Sequence, residues 1–188
     1  MRELFEAAAE FQEFFESKKW RFCLIGGMAV FHWGEMRLTR DVDLTLLTGL
    51  GDEERFVEPL LARFRSRASV SEHPIIERRV AVLIAGNGHP VDVALGALPF
   101  EKSMIKRATM EKFEPGIVLR TCRPEDLIVM KAFADRLLDW HDIDGILIRQ
   151  GKKLDLKRIR KDLRPMLAIK EKPELLDRLD QLIAKRIP

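Results

Sequence analysis

The chain has 188 residues, of which 46 % are hydrophobic and 34 % are charged, and its formal net charge is +3. This composition is typical of a folded globular protein and excludes the collagen-like, low-complexity and disordered classes. The two cysteines, Cys23 and Cys122, lie in apolar runs and are too few for a disulfide framework, so we expect a cytoplasmic protein with reduced thiols.

Charge is distributed unevenly along the chain. Residues 151–188 contain 12 lysines and arginines against 6 acidic residues, so the C-terminal part is basic. A solvated helix surface explains this excess, and RNA binding through phosphate contacts is the alternative. The longest uncharged stretch, 22–34, is too short to span a bilayer and the N-terminus does not resemble a signal peptide, so we expect no membrane partner.

The first quarter of the chain predicts helices and strands in alternation. Apolar residues at three- and four-residue spacing predict an amphipathic helix over 2–18. The short apolar run 22–25 predicts a buried strand that enters the glycine turn 26–27. A compact helix is expected over 28–33, and the next strand over 42–47.

The middle of the chain predicts a helix, a hairpin and a final strand. Helical spacing over 52–64 comes with an aspartate as the expected N-cap. The β-like runs 79–85 and 90–95 flank a Gly-Asn-Gly tripeptide, which is a hairpin signal. A helix is expected over 99–110 and a last strand over 116–121.

From residue 123 onwards the pattern becomes helical. Pro124 suits the first turn of a helix with an apolar stripe over 127–138, and apolar residues at helical spacing predict two further helices, over 156–167 and 175–182. The expected fold class is therefore α/β (α+β), with a small mixed sheet and flanking helices over residues 1–121. A C-terminal helical region is expected over residues 122–188.

The most unusual local feature is the pair Asp41 and Asp43 beside an apolar strand. Alternate residues of a strand share a face, so the two carboxylates would project side by side. Carboxylates that close repel each other unless a cation lies between them. Mg²⁺ binds through one or two carboxylates together with substrate phosphates, so the pair predicts a magnesium site.

A third acid, Asp92, stands between Val91 and Val93 in an apolar run. An unpaired acid that points into a core is costly, but the residue is explained if it joins Asp41 and Asp43 on an adjacent strand. Three convergent carboxylates can hold two metal ions about 3.5–4 Å apart, the arrangement that serves phosphoryl displacement.

Residues that suit phosphate binding precede the acidic pair. Gly26 and Gly27 end a predicted strand and begin a helix, where the backbone can approach a phosphate closely. Arg37 and Thr39 lie just before Asp41, where a guanidinium can contact phosphate or an acid and a hydroxyl can donate to an oxygen.

Each of these residues also has a purely structural interpretation. The acids at 41 and 43 could be a turn cap and a surface acid, and Asp92 could lie on the exposed side of a hairpin. Arg37 could pair with a neighbouring acid, and Lys131 could be a solvated helix residue. We find no metal-ligand spacing among the four histidines.

The order of these motifs resembles the nucleotidyltransferase superfamily that includes DNA polymerase β. The shared elements are a Gly-Gly turn, an Asp-x-Asp strand and one more acid on a later strand. Within the superfamily, the sequence is most similar to the bacterial AbiEii-like and MNT-like toxin-type branch. That branch approaches its acids through Arg-x-Thr-x-Asp-x-Asp, which is matched by Arg37, Thr39, Asp41 and Asp43.

Later motifs extend the resemblance over roughly residues 20–145. The Pro-Glu-Asp-Leu-Ile-x-x-Lys helix of the branch is matched by residues 124–131, which end at Lys131. The Arg-x-x-Asp-x-x-Asp-Ile stretch of relatives is matched by Arg136, Asp139, Asp142 and Ile143.

The resemblance implies a mechanism. Asp41 and Asp43 would hold two Mg²⁺ ions, while Asp92 would bind the catalytic one and take the proton from the acceptor hydroxyl. The Gly-Gly turn would cradle the triphosphate of an NTP, and Lys131 would neutralise phosphate charge. Catalysis would consist mostly of positioning and charge neutralisation.

The expected function is transfer of a nucleoside monophosphate from an NTP to a hydroxyl acceptor, with release of pyrophosphate. The acceptor could be an RNA or tRNA end, a protein or a small molecule, and the basic C-terminal part slightly favours RNA. The resemblance to toxin-type relatives implies a toxin–antitoxin pair with a cognate antitoxin protein. The alternatives are a catalytically silent nucleotide- or RNA-binding module and a nuclease that uses the same acids.

Overall fold

The structure is a computed structural model that describes residues 1–67 and 72–187. The helices among these residues are α1 (Arg2–Ser17), α2 (Gly26–Trp33), α3 (Glu54–Arg63), α4 (Glu72–Arg78), α5 (Pro99–Arg107), α6 (Pro124–Ala134), α7 (Leu137–Gln150), α8 (Leu156–Lys170) and α9 (Glu174–Arg186). The strands are β1 (Phe22–Leu24), β2 (Val42–Leu47), β3 (Arg65–Ser66), β4 (Val80–Ile84), β5 (Pro90–Gly96), β6 (Thr109–Glu114) and β7 (Ile117–Thr121).

All of these strands belong to one mixed sheet in the order β3-β4-β5-β2-β1-β7-β6. Two pairs are parallel, β2 with β5 and β1 with β7, and the other neighbouring pairs are antiparallel. The parallel pair β2–β5 lies at the centre of the sheet. Residues in register on these two adjacent strands project from the same face.

Helix α1 forms because its aromatic residues recur on one side, and that side is buried. Phe11 and Phe15 are fully buried, and the Phe11 ring stacks on Phe64 with centroids 3.8 Å apart. Phe15 meets the ring of Phe22 on β1 at 5.1 Å. This aromatic cluster anchors α1 and removes from water the side chains that contribute most to hydrophobic stabilisation.

The contacts divide the chain into two compact units. Unit 1 consists of Met1–Met28 and Leu38–Cys122 and contains the sheet. Unit 2 consists of Ala29–Arg37 and Arg123–Pro188 and contains the C-terminal helices. The domain boundary between residues 121 and 122 stays a prediction; by contacts, Ala29–Arg37 clusters with the C-terminal helices and Cys122 with the sheet.

The predicted fold class is confirmed, and most predicted elements are present. The predicted end of the helix over 99–110 was wrong, because the helix ends at Arg107 and is followed by strand β6. Asp52 does not cap α3; the N-cap is Glu53, and Asp52 pairs with Arg55 on the surface. Strand β3 was missed because two residues are too short to show a period.

Among the described residues, no helix is both long and apolar enough to cross a membrane.

Candidate functional site

The parallel pairing of β2 and β5 brings two of the predicted site acids together. The register aligns Asp43 directly with Asp92. Their neighbours Val42, Val91 and Val93 are fully buried, whereas both aspartates are half-buried. Because side chains alternate along a strand, the valines enter the core while the two carboxylates project together from the opposite face.

Asp41 lies one residue before β2, and its negative charge acts on Asp92. Thr39 donates a hydrogen bond from its hydroxyl to Asp41 Oδ1 at 3.2 Å, which holds the carboxylate in place. Burial raises the pKa of Asp92, and the negative charge of Asp41 raises it further. Asp41 and Asp92 are therefore electrostatically coupled, and Asp43 stands beside Asp92 in the register of the sheet.

One oxygen of Asp92 has no partner. Its Oδ1 atom is buried and receives no hydrogen bond from any described residue. A buried acceptor without a donor costs about 1–3 kcal/mol. Such a cost is typical of a group whose partner is a ligand or an ion. The charge of Arg67 acts in the opposite direction to burial and lowers the pKa of Asp92.

The glycine turn lies against Asp43. Gly26 begins α2 with φ +62°, and a Cβ placed there would lie 1.9 Å from Asp43 Oδ2. Gly27 donates its backbone N–H to the same oxygen at 3.3 Å, and a Cβ at this position would lie 2.5 Å from the Thr39 hydroxyl. Only glycine allows the backbone to come this close to the acid.

The acids suit a hard divalent cation, although no closed ligand set is formed. Among residues 1–67 and 72–187, no three acidic, histidine or cysteine side chains are arranged as a metal site. One oxygen of Asp43 accepts from Gly27 and one of Asp41 from Thr39. Carboxylate oxygens, such as the buried, unpartnered Oδ1 of Asp92, are nevertheless the kind of donor that Mg²⁺ prefers.

The other predicted phosphate ligands, Arg37 and Lys131, are both bound to acids in unit 2. Arg37 pairs with Asp142 through two hydrogen bonds, of 2.7 and 3.0 Å. Lys131 Nζ lies 2.7 Å from Asp142 and 3.2 Å from Asp139. Lys131 is 6 % exposed, so the alternative of a solvated lysine is wrong. Their nucleotide-binding roles stay predictions.

The acids that bind Arg37 and Lys131 were identified in the sequence only as part of a family motif. Asp139 and Asp142 are buried, at 1 % and 2 % exposure. Burial opposes the charge of Asp139, but hydrogen bonds from Arg136 and the charge of Lys131 lower its pKa overall. One sequence signal could have indicated a buried ion-pair network. It is a lysine on an apolar helix, followed on the next helix by two acids three residues apart.

Sequence reasoning missed Arg67 altogether. The residue follows β3, an edge strand that was not predicted, and its N–H donates to the Val82 carbonyl at 2.9 Å. The available signal was the Arg-x-Arg spacing of Arg65 and Arg67 just after a helix. His89, whose role was open, lies at the β4–β5 hairpin, where its ring is 3.4 Å from Glu3.

Comparison with solved structures supports the fold. An antigenic nucleotidyltransferase-like protein from Paracoccidioides brasiliensis is 17 % identical, with 95 % of this chain and 93 % of that chain covered and a TM-score of 0.56. The antibiotic-resistance factor ANT(2″)-Ia is 15 % identical, with 89 % and 94 % covered and a TM-score of 0.56. At this level of identity the likeness shows a shared fold and nothing more.

Comparison with protein-family models identifies the family of this chain. No curated protein matches this chain. The family model described as "Nucleotidyl transferase AbiEii toxin, Type IV TA system" matches residues 9–187, which is nearly the whole chain. The chain therefore belongs to the AbiEii family of nucleotidyltransferase toxins.

Proposed function

We propose that this nucleotidyltransferase moves a nucleoside monophosphate from an NTP to a hydroxyl acceptor, and that Asp41, Asp43 and Asp92 carry the reaction with divalent metal ions. The observation that carries the proposal is the register of Asp43 with Asp92 beside the glycine turn. The buried, unpartnered Asp92 oxygen supports it, because a ligand would satisfy that atom.

The three aspartates would hold the metal, which we take to be two Mg²⁺ ions. When bound, Mg²⁺ supplies positive charge that stabilises the phosphate oxygens in the transition state. The same charge would favour the ionised form of Asp92, whose pKa is raised in the protein alone by burial and by Asp41.

The chain's own residues would position the reactants. The turn at Gly26 and Gly27, which begins α2 beside Asp43, would bind the triphosphate through backbone N–H groups. The acceptor oxygen would attack the α-phosphorus, the bond to the β-phosphate would break, and pyrophosphate would leave. Asp92, held in its ionised form by the metal charge, would receive the proton of the acceptor hydroxyl.

Arg37 and Lys131 remain proposed phosphate contacts. Both cations bind Asp142, so contact with a nucleotide would require one of them to exchange that partner for a phosphate oxygen. An arginine or lysine binds phosphate and carboxylate through the same kind of charge-assisted hydrogen bond. The exchange would therefore replace one such bond with another.

The family also bears on partners. The family model describes a type IV toxin–antitoxin system, so we propose that a cognate antitoxin protein counteracts this enzyme in the cell. This proposal is independent of the identity of the acceptor. A small gene next to the one for this chain would be the first candidate for the antitoxin.

The proposal is tested by supplying the protein with each labelled NTP, Mg²⁺ and separate pools of total RNA, protein and small hydroxyl compounds. We expect label on one pool. Asp43→Asn and Asp92→Asn should each lower the rate on the order of a hundredfold or more, the scale of losing a charge-stabilising group. Omission of Mg²⁺, or its removal with a chelator, should abolish transfer.

Asp52→Asn is the matched control, because Asp52 is an exposed acid that pairs with Arg55 on α3, and it should leave the rate unchanged. Transfer that survives Asp92→Asn undiminished would contradict the proposal. NTP binding without label on any pool would favour the silent module, and shortened RNA would favour the nuclease.

A further inference from the structure

One face of the sheet is open next to the catalytic acids. On β4 and β5, residues alternate between buried and half-buried, and Asp92 belongs to the half-buried set. That set also contains Val80, Val82, Ile84, Pro90 and Ala94. The strip that extends from Asp92 towards the β3 edge is therefore accessible and apolar.

Two arginines form the far border of this strip. Arg65 is in register with Ile84, and Arg67 bonds to the Val82 carbonyl, so both belong to the face that carries Asp92. Both are exposed, and no described residue gives either guanidinium a hydrogen-bond or ion-pair partner.

The strand order places the glycine turn on one side of Asp43 and Asp92 and the two arginines on the other side. The glycine turn follows β1, Asp43 lies on β2, Asp92 on β5, and Arg67 follows β3. Arg67 is thus two strand spacings, roughly 10 Å, beyond Asp92 on the side away from the glycine turn. A triphosphate at the turn leaves the arginine side to the acceptor.

We propose that Arg65 and Arg67 bind phosphate groups of a polynucleotide acceptor whose terminal hydroxyl is presented to Asp92. This inference rests on the proposed function, because it assigns the acceptor of that reaction. The apolar strip between the arginines and Asp92 would contact sugar and base edges, and the two guanidinium groups would hold the backbone phosphates beyond it.

The positive charge of Arg65 and Arg67 favours a polyanionic acceptor over the other classes of acceptor. Guanidinium groups form bidentate hydrogen bonds with phosphate, and two of them at one edge attract a polyanion. A polycationic small molecule, such as an aminoglycoside, would be repelled by the same pair. A protein hydroxyl needs no cationic border at all.

The experiment compares three full-length proteins: the wild type, the double variant R65A/R67A and the control R55A. Arg55 is an equally exposed arginine on α3, so R55A removes charge from elsewhere in unit 1. Binding of a fluorescent single-stranded RNA, and of the DNA with the same sequence, is measured by anisotropy over a range of salt concentrations.

We expect R65A/R67A to bind at least about tenfold more weakly than the wild type, and R55A to bind as the wild type does. The slope of log affinity against log salt should become shallower by about 1.4, the value for two lost phosphate contacts on a single strand. In the transfer assay, KM for the acceptor should rise while KM for the NTP stays unchanged. The RNA and DNA arms tell which backbone is the acceptor.

Equal polynucleotide binding by the wild type and R65A/R67A would overturn the inference, as would label on a protein or small-molecule acceptor alone. Either outcome leaves the proposed function standing. Failure of the proposed function is recognised separately, because the wild type would then transfer no label from any NTP to any pool in the presence of Mg²⁺, and the acceptor role would fall with it.

Discussion

At the scale of single residues, Lys131 illustrates how a charge is accommodated away from water. Its ammonium group is buried between Asp139 and Asp142, and each of these acids also binds an arginine. A buried ion pair adds little net stability, but removal of one partner leaves an uncompensated charge. Lys131 is therefore expected to be needed for the stability of unit 2 whether or not it contacts a nucleotide.

We predict that Lys131→Met lowers the free energy of unfolding at neutral pH by about 3 kcal/mol, the low end of the range for broken buried pairs, because Arg37 and Arg136 still neutralise the two acids. The pKa of Asp139 is lowered in the folded wild type, so its stabilising contribution is present above its unfolded pKa. That contribution is lost as the pH falls through the lower, folded value.

The difference between wild type and Lys131→Met should therefore shrink in acid, as measured by urea unfolding between neutral pH and pH of about 3. Lys102→Met, which changes an exposed lysine of α5, is the control and should change stability little at any pH. A difference that stays constant down to the acid limit would show that the charge pairing is not its cause.

At the scale of secondary-structure elements, the junction of β1 and α2 is the most constrained part of unit 1. Here positive φ and close approach coincide at Gly26, because the helix starts against the carboxylate of Asp43. The apolar run of β1 fixes where the strand ends, and the two glycines allow the chain to turn at once into a helix. Thr39 then packs against the second glycine.

We predict that Gly26→Ala abolishes nucleotidyl transfer and Mg²⁺-dependent NTP binding, because its methyl group would displace the Asp43 carboxylate. Gly116→Ala is the matched control, since Gly116 also has positive φ, at +83°, but has open space where a Cβ would be. Both variants should lose about 1 kcal/mol from backbone strain. Equal activities of the two variants, measured at equal folded fractions, would contradict a role for the glycine turn in the site.

The wrongly predicted end of helix α5, where strand β6 follows, is also explained at the level of secondary-structure elements. Residues 104 and 105 are buried on α5, and in the sequence the apolar spacing continues through Met110. In the structure the chain leaves the helix at Ala108 and pairs with β7. Residues 109–113 alternate between half-buried and exposed side chains, which is the period of a strand, but so short a polar-rich run carries that signal weakly.

At the scale of the whole molecule, a short internal segment belongs with the C-terminal helices. Ala29–Arg37 is part of unit 2, where it supplies partners for α7. Gly34 accepts a hydrogen bond from Arg149 at 2.7 Å, and Trp33 accepts one from Gln150 at 2.6 Å. With the Arg37–Asp142 pair, these contacts make the segment part of the folding unit.

We predict that residues 123–188 expressed alone unfold without a cooperative transition, and that the same residues fused to residues 29–37 through a flexible linker regain one. Thermal unfolding followed by circular dichroism measures both. The fusion restores Arg37, one of the two cations that bind the buried Asp142, and the backbone acceptors of Arg149 and Gln150 on α7. Cooperative melting of the shorter fragment at the same temperature as the fusion would show that the segment is dispensable.

The sequence by itself determined the strands that carry Asp43 and Asp92, the glycine turn and the family, because apolar periodicity and ordered motifs are local properties of the chain. Only the tertiary structure decided that Asp43 stands next to Asp92. That adjacency comes from the pairing of strands about 50 residues apart, which no local pattern encodes. Tertiary structure likewise gave Lys131 buried acidic partners and placed Arg67 beyond Asp92, since burial and neighbours depend on how separate elements pack.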